Sequence, residues 1–167
     1  MSSDRGVGSL TVAGTEIDTT HTIVAGIDGS DASVAAARWA AQQASLTGSR
    51  LEVVSAWQGP GSWGISWASA IPIPTDYDPV GDTQSMVDEV IGSLGPDFPT
   101  VTIDGRVAEG HPAEVLVEAS RHADLLVVGS RGHGEFTGML IGSVSQHCAA
   151  NAKCSVVIVR EPDNHPA

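Results

Sequence analysis

Two short segments hold the residue types that could do chemistry. Gly26-Ile27-Asp28-Gly29-Ser30 closes an apolar run with a carboxylate and small residues, and Gly129-Ser130-Arg131-Gly132-His133-Gly134 closes another. Glycines recur at 138 and 142, just before Ser143. Glycine lets main chain approach a ligand closely, and a helix opening at Gly142-Ser143 offers unpaired amides at its positive end. The second segment therefore reads as an anion site made of backbone. A P-loop is excluded: Lys153 is the only lysine, and no GxxxxGK[ST] segment occurs. Arg131 is the one cation inside the loop up to Ser143, and it reads equally well as a solvated loop arginine. Ser143 fits an N-cap or a phosphate hydrogen-bond donor better than a nucleophile. Asp28 has the alternative role of capping the next helix, although Ser30 and Asp31 already supply caps. His133 and His111 lack an obvious carboxylate partner nearby in sequence, so no catalytic base is nominated.

The elements that must position these segments follow from periodicity. Thr22 to Asp28, Leu51 to Trp57 and Asp124 to Gly129 are short apolar runs, as strands buried on both faces are. Val101 to Val107 alternates and reads as an edge strand; Ser155 to Val159 is a fifth strand. A helix starts near Asp31 and ends near Gly48, with Asp31, Arg38, Gln42 and Ser45 on its polar stripe. Met86, Val87, Val90, Ile91 and Leu94 give the inner face of a second helix. Pro112 opens a third, and Ser143 to Ala152 forms a short fourth. Strands alternating with helices predict an α/β, doubly wound parallel sheet with helices on both faces, whose ligands bind beyond the carboxyl ends of strands where strand order reverses. Residues 1–20 read as a flexible extension, 21–160 as one domain, 58–80 as a long loop rich in Trp and Pro, and 161–167 as a polar tail. Trp57, Trp63 and Trp67 could pack, cover a pocket or stack on a base.

Composition agrees with a single domain. Of 167 residues, 41% are hydrophobic and 17% charged, enough apolar mass for a core. Eight basic residues against twenty acidic ones leave a net charge of −12, which disfavours nucleic acid and anionic membrane surfaces as partners. No apolar stretch reaches a membrane span, nothing marks the chain for export, and Cys148 and Cys154 read as free thiols, so a cytoplasmic location is expected.

The spacing within the second segment is more specific than its glycines alone. Gly129, two residues, Gly132, nine residues and Gly142-Ser143 resemble the nucleotide-binding signature GxxGx(9)G[ST] of the universal stress protein family. Ile23 to Ser30, Gly110-His111-Pro112 and Asp124 to Ser130 are similar to other parts of that family, and the likeness spans His21 to Arg160. It implies a Rossmann-like sheet of the adenine nucleotide alpha hydrolase type, strand order 3-2-1-4-5, and a homodimer formed through the last strand. It also implies ATP, or else AMP or cyclic AMP, as ligand. Gly129, Gly132, Gly142, Ser143 and Val144 would hold the phosphates, with Arg131 beside them. Asp28 would face ribose, phosphate or metal, and Gly26 and Ala56 would line the adenine. Mg²⁺ is expected on the phosphates, since bare triphosphate beside Asp28 would be repelled. Ser55 stands where many members carry a histidine, which changes the base pocket.

The expected function is a nucleotide-dependent stress or regulatory protein with at most slow hydrolysis. An ATP-cleaving or adenylyl-transferring enzyme of the same fold is the second reading, although the HxGH histidine pair of such transferases is absent. A dimerisation module without ligand is the third.

Overall fold

The computed structural model describes residues 21–59, 78–132 and 141–160. Its elements are β1 (Thr22–Gly26), α1 (Asp31–Thr47), β2 (Arg50–Trp57), α2 (Pro79–Leu94), β3 (Ile103–Glu109), α3 (Pro112–Ala119), β4 (Leu125–Gly129), α4 (Ser143–Asn151) and β5 (Ser155–Val159). All strand pairs are parallel, in the order β3-β2-β1-β4-β5. The chain builds outward from β1 to β3, then crosses back to lay β4 on the other side of β1. The strand-order reversal therefore falls between β1 and β4, where Gly26 is in register with Val128.

Alternate residues of β1, β2, β4 and β5 feed two cores. Ile23, Ala25, Leu51, Val53 and Val127 pack under α1 and α2; Val24, Val54, Leu126 and Val128 pack with Leu116 and Ala119 of α3 and Cys148 of α4. This is the two-sided burial that apolar, non-alternating strands require. The buried face of α1 is made of small residues: Ala32, Ser33, Ala36, Ala37, Ala40, Ala41 and Ala44. The helix consequently lies close to the sheet. Ser30 caps its start, and Gly48 ends it at φ 69°, a left-handed conformation that glycine adopts without strain.

Several boundaries differ from the sequence reading by a residue or two, and those of α2 and β3 have a visible cause. α2 begins at Pro79, inside the stretch read as a loop to residue 80, because Asp78 accepts from the Gly81 amide at 2.9 Å and Pro79 takes the first helical turn. β3 begins at Ile103 and runs on to Glu109, in register with β2 as far as Trp57. Val101 instead bonds back to the Phe98 carbonyl, closing a turn that contains Pro99. As the alternation implied, β3 is an edge, tied to β2 by Arg50–Asp104 at 2.6 Å and Arg106–Glu52 at 2.8 Å.

Both cysteines are free. Burial pushes the Cys148 thiol up to about 11 and raises Cys154 as well, so neither is a ready thiolate at neutral pH. No described helix is long and apolar enough to cross a membrane.

Candidate functional site

A cleft of about 640 Å³ opens at the carboxyl ends of β1 and β4. β1 and its turn contribute Gly26, Ile27 and Asp28; β4 and its loop contribute Val128, Gly129, Arg131 and Gly132. The start of α4 adds Gly142, Ser143, Val144 and Ser145, and α3 adds Pro112 and Leu116. Eight of the nine residues singled out from sequence thus meet in one place. Ala56 does not line it. That residue lies at the end of β2 on the face shared by Gly26, opposite Ala108 of β3. The apolar wall comes instead from α3, whose Leu116 reaches across to Gly26: a Cβ on Gly26 would lie 2.6 Å from the Leu116 Cδ1. His133, Gly134, Gly138, Trp63 and Trp67 fall outside the described residues.

Hydrogen bonds fix how the two sides of the cleft face each other. The Gly142 amide donates to the Ser130 carbonyl at 2.7 Å, and the Ser145 hydroxyl donates to the Gly129 carbonyl at 2.6 Å. Ser130 itself is held by its amide on the Val159 carbonyl at 2.7 Å. Both ends of the glycine-rich loop are therefore fastened, and the start of α4 is laid against the end of β4. Gly142 is the N-cap, and among the described residues no side chain caps this helix. The first three amides of α4, at Ser143, Val144 and Ser145, precede the first intrahelical bond, Gln146 N to Gly142 O at 3.0 Å. Such amides and the helix dipole attract an anion.

The glycines do different jobs. A Cβ on Gly129 would sit 2.8 Å from the Ala32 backbone carbon and oxygen, so this glycine lets α1 lie against β4. A Cβ on Gly132 would run into the Asp28 carboxylate. Gly142 has ordinary room, its nearest neighbours standing at 3.6 Å. Among the described residues, only the last is free of a packing reason.

Asp28 is placed by its own turn. One carboxylate oxygen accepts from the Ser30 amide at 3.0 Å and from the Ser30 hydroxyl at 2.6 Å, and the Asp28 amide donates to Ser33 Oγ at 3.2 Å. Ser30 does the capping, accepting from Ser33 N at 3.3 Å, and Asp28 orients Ser30. Its carboxylate remains at the cleft beside Gly132. Ser55 uses its hydroxyl on the Ile27 carbonyl at 2.9 Å, steadying the same turn from β2. His111 caps α3, its Nδ1 accepting from the Ala113 amide at 3.3 Å. Arg131 is exposed on the cleft rim. Among the described residues no cluster of three or more His, Cys, Asp or Glu could hold a metal by itself.

Pro112, Leu116 and Ser145 line the cleft but are not among the site residues the sequence indicates. A glycine on β1 and a leucine ninety positions later carry no local sign that they fit each other. Ser145 follows the signature glycine by three residues and looks like any polar helix residue until its partner is seen.

The model of the universal stress protein family matches residues 19–160. The chain belongs to this family. Among curated universal stress proteins, one from Mycolicibacterium smegmatis is 35% identical over 139 residues, covering 83% of the chain. The universal stress protein Rv2623 of Mycobacterium tuberculosis is 35% identical over 146 residues, with the same 83% coverage. The chain spans 45% of the length of each of these relatives. A universal stress protein solved in complex with cAMP superposes with a TM-score of 0.62 at 29% identity, covering 86% of this chain and 98% of that one. A universal stress protein from Archaeoglobus fulgidus in complex with dAMP gives a TM-score of 0.61, covering 84% of this chain and 97% of that one; at 17% identity it bears on the fold alone.

Proposed function

We propose that this universal stress protein binds an adenine nucleotide in the cleft between β1 and β4 and acts as a ligand-dependent regulatory protein. The observation that carries the reading is the wall made of main chain: the uncapped start of α4, laid against the glycine-bearing end of β4. Backbone dipoles can neutralise a polyanion in a molecule whose side chains sum to −12. The related universal stress protein with bound cAMP supports the ligand class.

In this reading Gly132, Gly142, Ser143 and Val144 receive the phosphates, and Gly129 holds the fold of that corner. Arg131 on the rim adds the one cation among the described lining residues. Gly26, Pro112 and Leu116 form the apolar part that takes the base. Ala56 is left out. ATP is the proposed nucleotide and Mg²⁺ its counterion: magnesium is usually held by one or two carboxylates together with phosphate oxygens, and Asp28 is the carboxylate among the described lining residues. Bound there, the ion would offset the repulsion between Asp28 and the phosphates. Because β5 has an uncharged, half-buried edge, we further propose that a second copy pairs along it.

Titration calorimetry with ATP, AMP, cyclic AMP and adenosine, each with and without Mg²⁺, tests the reading. Saturable binding of at least one nucleotide, tighter than adenosine, is expected. No heat with any of them, and no nucleotide in the mass spectrum of the purified protein, would sink it. Turnover faster than about 1 per second with Mg²⁺ would favour an enzyme instead.

A further inference from the structure

We propose that Ser145 is a positioning residue for the phosphate end of the cleft, an inference that rests on the nucleotide reading above. Ser145 is 4% exposed, yet it belongs to the cleft wall. Its hydroxyl proton is committed to the Gly129 carbonyl at 2.6 Å, which leaves Ser145 no side-chain proton for a phosphate. What it supplies to a ligand is aim.

α4 is joined to β4 at this end by two short bonds, Gly142 N to Ser130 O and Ser145 Oγ to Gly129 O. One bond permits the helix to pivot about it; two bonds one turn apart fix its direction. Removing the Ser145 hydroxyl leaves the pivot at Gly142 and also leaves the buried Gly129 carbonyl one donor short. The amides of Ser143 and Val144 then lose their fixed direction. Their attraction for phosphate depends on N–H groups pointing at the oxygens, because a hydrogen bond weakens steeply as it bends. Adenosine has no phosphate and makes no use of that direction.

The test compares ATP and adenosine affinity by calorimetry on the full chain. Ser145→Ala should weaken ATP binding about tenfold, the size of one lost hydrogen bond, while adenosine affinity stays within about twofold. Ser145→Thr keeps the hydroxyl and should restore ATP affinity. The proposal is overturned if Ser145→Ala, folded by its melting curve, binds ATP as the parent does. Equal losses for ATP and adenosine would also overturn it, since they would mark a general loosening of the fold. Should the alanine variant fail to fold, Ser145→Cys, whose thiol is a weaker donor, is compared with Ser145→Thr on the same two ligands. Failure of the nucleotide reading looks different: the parent protein itself then binds none of ATP, AMP and cyclic AMP, and the positioning role falls with it.

Discussion

At the scale of single residues, the three signature glycines separate into structural and ligand-facing positions. Gly129→Ala places a methyl 2.8 Å from the backbone of α1, and overpacking of that kind costs about 1–3 kcal/mol. Thermal melting should show that loss whether or not nucleotide is present. Gly142→Ala meets nothing closer than 3.6 Å among the described residues and should melt within about 2 °C of the parent, yet weaken ATP binding by crowding the loop where phosphate approaches. A Gly142→Ala protein that binds ATP unchanged would remove this loop from the site. The sequence pattern marks all three positions alike and does not tell these causes apart. Spacing records that a side chain is excluded; only the neighbouring atoms tell what excludes it.

At the scale of elements, the strands were legible because two-sided burial leaves a plain apolar run, and β5 was read with its observed bounds, Ser155–Val159. α2 was harder to delimit. Its start is marked by the pair Asp78-Pro79 rather than by any apolar stripe, and those residues adjoin a prolonged aperiodic stretch. The amino ends of β1 and β4 are joined by Asp124, which accepts from the Thr22 amide at 2.8 Å and faces His21 Nδ1 at 3.2 Å. The Thr22 amide first, and His21 second, hold this carboxyl below its usual 3.8. A lowered folded value contributes stability above the unfolded value, and that contribution is lost as pH falls through the folded one. Asp124→Asn should therefore be less stable than the parent near pH 7, with the gap closing below about pH 4. The group is exposed, so the gap should stay under about 1 kcal/mol. A gap that widens on acidification would contradict the assignment. Melting curves across pH 3 to 7 provide the check.

At the scale of the whole molecule, the parallel doubly wound sheet followed from the alternation of elements, and its strand order was what the family resemblance carried by the glycine spacing implied. The apolar wall supplied by α3 followed from neither, because it arises from contact between residues far apart in the chain. The proposed pairing along β5 predicts a particle of twice 17.1 kDa by light scattering, and substitution of Val157 by Lys, a charge on that strand, should shift it toward one chain's mass. A parent protein that scatters as a single chain at working concentration would exclude the dimer. The alanine face of α1 has a consequence reaching beyond its own core. Because the alanines near the start of that face set the height at which Ala32 rides over Gly129, enlarging one of them should lift that end of the helix and relieve the very crowding that demands glycine at 129. Drift at the two places must be linked. Descendants that acquire bulk along α1 should be the ones that tolerate a side chain at 129, a pairwise trace that a large enough set of sequences would reveal without any measurement on the protein.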